Sequence, residues 1–127
     1  MPKILRQHTD SEQQLSQAYV RQKLTTGQWG RDINIDKQTP HNELTRAPGK
    51  SYLLASVDAQ ELFNKYAGTG TLMFTTDGRL TNIEKIQIDR NIGYAVNETE
   101  RKLTNQFKIH HSKSRTHIVP FSAPEVN

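Results

Sequence analysis

An α+β fold is predicted: one or two N-terminal helices packed on a four- to five-stranded antiparallel sheet. Three observations predict it. Helix caps and helical apolar spacing fall before Gly68, at Ser11-Glu-Gln-Gln14 and Asp58-Ala-Gln-Glu61. From Leu72 onward, two-residue alternation and the turn signal Asp77-Gly78 replace that spacing. Helical runs first and strands after is the order of a sheet with its helices on one face, which leaves the other face open.

Composition bounds the chemistry. The 127 residues suit one domain, and 33% hydrophobic residues with a mean hydropathy of -0.79 allow a lean core. A net charge of +4 favours an anionic partner, nucleic acid or an acidic protein. The absence of cysteine excludes disulfides, thiolate zinc sites and a cysteine nucleophile. No apolar run approaches the ~20 residues that span a membrane. Met1-Pro-Lys-Ile-Leu-Arg6 lacks the apolar core of a signal peptide, so a soluble domain without its own export signal is expected.

Residues 1 to about 10 read as loose. Ser11 as N-cap with Gln14 opens a helix to about Lys23, with Leu15, Ala18 and Tyr19 as a modest apolar stripe. Its glutamines suggest an accessory, weakly buried helix, and residues 1–30 are read as an N-terminal extension. Trp29 is expected to pack at the domain edge. Residues 31–50 read as a long loop around Pro40, Pro48 and Gly49, with Ile33 and Ile35 as a possible short strand; such loops are often functional. His41 lies here among Lys37, Arg46 and Lys50.

Ser51-Tyr-Leu-Leu-Ala-Ser56 reads as an apolar run entering a helix capped at Asp58, with Ala59, Leu62, Phe63 and Tyr66 on one face and Gly68 as its stop. Gly68-Thr-Gly70 is a turn, since it follows a helix and lacks G-K-[ST]. Leu72 to Leu80 forms a hairpin at Asp77-Gly78. Ile83, Ile86 and Ile88, then Ile92 to Val96, read as two antiparallel strands joined at Asp89-Asn91.

The last hairpin carries the chemistry. Three of the five histidines lie between His110 and His117. Phe107 and Ile109 alternate with Lys108 and His110, and Thr116-His-Ile-Val-Pro120 returns after a polar turn. An even register pairs His110 with His117 and Ile109 with Ile118; an odd one puts His111 on the face of His117 and pairs Ile109 with Val119. The even register is favoured, with Lys108, His110, Ser112 and His117 on the open face. Histidines are common on solvated sheet faces, but three around one turn are the ingredients of acid-base chemistry near neutral pH.

The chain resembles the polymorphic toxin type 50 family, bacterial toxin domains also found at the ends of phage head-morphogenesis proteins. The matching segments are Ile33 to His41, Gly49 to Leu53, Lys65 to Gly70, Thr81 to Glu84, Ile92 to Tyr94, Thr104 to Lys113 and Thr116 to Pro120. The combination of K-Q-x-x-H, K-Y-A-G-T-G, I-H-x-S-K and T-H-I-V-P carries the resemblance. Two positions depart from the family: His111 stands where a tyrosine is usual, and Arg115 where a glycine is common.

The resemblance implies a ribonuclease on a barnase/EndoU-like fold over residues 31–127, neutralised by a cognate immunity protein that is expected to be acidic over the site. It implies RNA, tRNA included, as substrate, no cofactor, and a chain that is monomeric when free. It implies action in the cytoplasm of a target or host bacterium after delivery within a larger parent protein. The expected reaction is metal-independent: a base takes the ribose 2′-OH proton, the 2′-oxygen attacks phosphorus, and an acid protonates the leaving 5′-oxygen. His41 is one member of the acid-base pair and His110, His117 or both the other. Lys113 and Lys37 are candidates for phosphate stabilisation, and Ser112 and Thr116 for hydrogen bonds to it. Lys50 and Ser51 are further substrate-binding candidates, and Glu84 an orienter or alternative base.

Three rival classes compete with this reading. A His-metal nuclease is suggested by His110-His111 and Thr-His-Ile-Val-Pro, but the acidic residue before that histidine is lacking, and the residues after Pro120 are too few for a ligand helix. A zinc deaminase lacks cysteine and H-x-E. The alternative retained is a non-enzymatic basic nucleic-acid-binding or phage structural module, which predicts salt-sensitive RNA binding without cleavage.

Overall fold

The computed structural model describes residues 10–123; the expectation for the first nine residues lies outside them. Helix α1 (Asp10–Thr25) already includes Ser11, which is therefore not its cap. Its buried stripe is Ser16, Val20 and Leu24, and Leu15 is 53% exposed, so the expected stripe is displaced. The reason is polar: Leu72 N–H donates to the Ser16 hydroxyl across 3.1 Å. This satisfies a backbone group on the edge strand of a sheet. Val20 and Leu24 pack into the main core, so α1 is not an accessory helix.

The region 31–50 is folded, not a shapeless loop. Ile35 starts a one-turn helix, α2 (Ile35–Gln38), instead of lying in a strand, because the Asn34 side chain caps Lys37 N–H at 2.9 Å. Two 3₁₀ turns follow, Thr39–His41 and Glu43–Thr45. Tyr52–Leu53 is a short strand, β1, instead of a helix entrance. Helix α3 (Ala59–Tyr66) starts after Asp58, whose side chain accepts from Gln60 N–H. Gly68, at φ 89°, turns the chain just beyond its end.

The strands form two antiparallel sheets where one was expected. Strands β2 (Thr71–Phe74), β3 (Leu80–Gln87), β6 (Gln106–His110) and β7 (His117–Phe121) make a four-stranded sheet in the order β2-β3-β6-β7. Strands β1, β4 (Gly93–Val96) and β5 (Arg101–Thr104) make a three-stranded sheet in the order β1-β4-β5. β3 and β4 do not pair with each other. β5 and β6 run on from one another through Asn105; β4 pairs with the first half of that run and β3 with the second. The Asn105 amide donates to Ile88 O at 2.8 Å and holds the corner between the sheets.

The β6–β7 hairpin adopts the even register, with Ile109 opposite Ile118 and His110 opposite His117. Phe107, Ile109, Ile118 and Pro120 thereby face inward, where they meet Leu62 and Phe63 of α3 and Val20 and Leu24 of α1. Lys108, His110, His117 and Val119 are left on the outer face. Among the described residues, no helix is long and apolar enough to cross a membrane. The result is an α+β architecture with helices on the inner side of the larger sheet.

Candidate functional site

The outer face gathers three imidazoles from distant parts of the chain. His110 and His117 stack with ring centroids 4.8 Å apart and planes 10° from parallel. His41 stacks on His117 at 5.9 Å and 17°. His117 is therefore shared between a hairpin partner and a ring from the loop region.

What brings His41 there is Gln38, a residue the sequence reading passed over. Its buried amide brackets the edge of β7: the amide N–H₂ donates to Ile118 O at 2.9 Å, and Ile118 N–H donates to Gln38 Oε1 at 2.7 Å. Asn34 adds a second tie, its backbone N–H donating to Thr116 O at 2.8 Å and its side chain to Ser114 O at 2.9 Å. A buried strand edge needs partners for both backbone groups. The K-Q-x-x-H spacing supplies them and then delivers His41 three residues later.

Two of the three rings are oriented by backbone carbonyls. His41 Nδ1 lies 2.8 Å from Ser51 O, and His117 Nδ1 lies 2.9 Å from Arg115 O. A carbonyl only accepts, so in both rings Nδ1 carries the proton and the neutral form presents a lone pair at Nε2. Burial holds His41 below the ordinary imidazole range; the Ser51 carbonyl opposes that shift, and the charges of His117 and Lys50 add to it. Burial pushes His110 down to about 4, and the charges of His117, Lys108, His41 and His111 act in the same direction. Near neutral pH, His41 and His110 are therefore uncharged.

The remaining candidate residues are placed as follows. Ser51 acts through its carbonyl on His41, while its hydroxyl accepts Val96 N–H at 2.9 Å. Lys50 is exposed and close enough for its charge to depress His41. Lys37 on α2 and Lys113 in the β6–β7 loop have exposed side chains pointing to solvent-accessible surface. Thr116 is fully buried and does not face a substrate: its hydroxyl donates to Ser112 O and accepts Ser112 N–H. The Ser112 hydroxyl accepts Arg115 N–H at 3.2 Å. These two residues staple the loop.

Glu84 also requires correction. It is fully buried on the inner face, where its carboxyl group accepts Gly68 N–H at 2.9 Å and Gly70 N–H at 2.8 Å, and lies 2.7 Å from His111 Nε2. It orients His111, which is buried as well and turned away from the other histidines. Trp29, expected at an edge, stacks on the His111 ring at 4.7 Å and 9°, and Phe63 meets it edge-on. Glu84 and His111 are thus a polar pair inside the core, held by the turn between α3 and β2.

The three rings are nearly parallel, with His117 stacked on each of the other two. Among the described residues, no group of three or more His, Cys, Asp or Glu side chains is arranged to hold a metal ion. The geometry suits proton transfer at one small surface, with two anchored rings and a third packed against His117.

No curated protein matches the chain. Residues 33–120 match the family described as Bacterial toxin 50, Ntox50. The match starts at the segment that carries Asn34, Gln38 and His41 and ends at Pro120 within β7. Because it covers most of the chain, the chain belongs to the bacterial toxin 50 family, and the folded unit that presents the three stacked histidines is a bacterial toxin domain.

Proposed function

We propose that this toxin domain is a metal-independent endoribonuclease, with His41 and His117 as its acid-base pair. The observation that carries the reading is the stacking of His41 on His117 with both Nδ1 atoms tied to backbone carbonyls. His41, kept uncharged by burial, takes the 2′-OH proton at Nε2. The 2′-oxygen attacks the adjacent phosphorus, and the bond from phosphorus to the 5′-oxygen breaks. His117, protonated, gives its Nε2 proton to that oxygen. The products are a 2′,3′-cyclic phosphate and a 5′-OH.

His110, held near 4, is a poor proton carrier at neutral pH and serves as a positioning ring against His117. Lys50 and Lys108, whose charges reach His41 and His110, take the phosphate-stabilising role that the sequence reading gave Lys37 and Lys113. A cognate immunity protein, acidic where it covers the histidines, neutralises the toxin by occluding this surface.

The test is a gel assay of the purified chain on total RNA and tRNA in EDTA. Cleavage that His117→Ala abolishes, with the circular dichroism spectrum unchanged, supports the reading. Intact RNA at micromolar protein discards it, and salt-sensitive binding without cleavage assigns the domain to the non-enzymatic RNA-binding class instead.

A further inference from the structure

A groove of about 740 Å³ lies apart from the histidines. Its relation to them follows from strand register. Residues paired across an antiparallel sheet share a face, and every second residue returns to that face. Counting back along β6 from His110 gives Lys108 and then Gln106.

The first row of the open face is Ile83, His110 and His117. The second is Lys85, Lys108 and Val119, and Thr71 of β2 extends it. The third is Gln87, Gln106 and Phe121. Rows lie about 7 Å apart, so the third is about 14 Å from His110. Lys85, Gln87, Gln106, Phe121 and Thr71 all line the groove, whose other walls come from Lys65 and Tyr66 of α3 and from Asp89.

The middle row is therefore a bridge. Lys108 sits over the Phe121 ring at 5.0 Å, within one row of His110. Its cross-strand neighbour is a second lysine, Lys85. Two like charges opposite each other destabilise a sheet. Their pairing on an otherwise open face calls for an anion. Beyond them stand two side-chain amides and an aromatic wall, groups that meet a base edge and a base face.

We propose that this strip is a subsite for single-stranded RNA flanking the cleaved bond: a phosphate on the Lys85–Lys108 pair and the next base in the groove between Gln87, Gln106 and Phe121. The proposal rests on the ribonuclease reading for its direction, because the strip leads away from the histidines. The rule it gives is one of length. A substrate that extends along the strip is held more tightly than one confined to the histidines.

The experiment measures binding, not cleavage. A fluorescein-labelled eight-nucleotide RNA with every 2′-OH methylated is titrated by anisotropy against the full chain and its Lys85→Ala, Gln87→Ala and Phe121→Leu variants across a salt series. The same is done with a two-nucleotide probe. Lys85→Ala is expected to lower the slope of log affinity against log salt by about 0.7, the value for one phosphate contact on a single strand. Phe121→Leu is expected to weaken the longer probe roughly tenfold, and the advantage of the longer probe shrinks in all three variants. Wild-type affinities and slopes in all three overturn the strip. If Phe121→Leu unfolds, the Lys85 and Gln87 variants decide. Binding through the strip by a chain that leaves RNA intact keeps the strip and sinks the ribonuclease reading. Cleavage together with unchanged binding by the variants does the reverse.

Discussion

His41 stacks on His117 with ring centroids 5.9 Å apart, although one ring belongs to a 3₁₀ turn and the other to the first residue of β7. The contact depends on Gln38, whose amide completes the edge of β7 at Ile118. Positioning of the pair is thus separable from its chemistry. Gln38→Ala leaves two buried backbone groups unpaired, which costs about 1–3 kcal/mol each. Denaturant titration should show that loss. Cleavage should fall further than stability alone explains, and stability should recover in part with Gln38→Glu at low pH, where a protonated carboxyl can both donate and accept.

Removing either anchored ring should slow cleavage by roughly 10²- to 10⁴-fold, the usual weight of one acid or base. His41→Ala and His117→Ala are read by single-turnover kinetics on a short RNA, and both variants should melt as the parent does. Similar rates in the parent and both variants would remove the acid-base pair.

The pH profile carries a sign. His41 must be uncharged to act as base, and burial lowers its pKa. The acid limb of the rate profile should therefore lie below the ordinary imidazole value of about 6.5. Lys50 contributes to that depression, so Lys50→Ala should move the limb to higher pH. A limb that stays in place or moves down contradicts the assignment of His41.

His110 links stability to pH. Its folded pKa, about 4, is below its unfolded value, so between those values the unfolded chain binds the extra proton. Stability should thus rise with pH across that window and fall on acidification through it. His110 is partly exposed, so solvent screening reduces the effect to the order of 1–2 kcal/mol. Urea titrations from pH 7 to pH 4 should show this loss, and His110→Gln should reduce it.

The interior pair gives a prediction independent of activity. Glu84 receives two glycine N–H groups and His111 inside the core. Glu84→Ala strands those donors and should cost roughly 3–5 kcal/mol. His111→Tyr should cost less than His111→Ala, since a phenol hydroxyl can replace the imidazole donor to Glu84. Equal losses on denaturant titration would mean that the site does not accommodate that hydroxyl.

Much of this was legible in local pattern. The caps at Asn34 and Asp58 act within one turn, although only Asp58 was read from its D-x-x-E spacing. The alternation of Phe107 and Ile109 with Lys108 and His110 favours the even register over the odd one that pairs Ile109 with Val119, and the even one is adopted. The same alternation sends His110 outward and His111 inward.

What failed to show was non-local. That β3 and β4 pair with successive halves of one strand run depends on where Asn105 turns a corner, which no short-range spacing records. Ser16 and Gln38 are buried polar residues whose partners are backbone groups of distant strands, so they look like surface residues in the sequence. Glu84 belongs with them: two of its partners are glycine N–H groups, which carry no side-chain signal.

The most direct measurement maps the termini left on a short RNA by the parent chain, His41→Ala and His117→Ala, in EDTA. The expected result is a 2′,3′-cyclic phosphate and a 5′-OH from the parent, with both products lost or strongly slowed in each variant. Termini bearing a 5′-phosphate and 3′-OH, or the same cyclic ends at parental rate from either variant, would contradict catalysis by the two stacked rings.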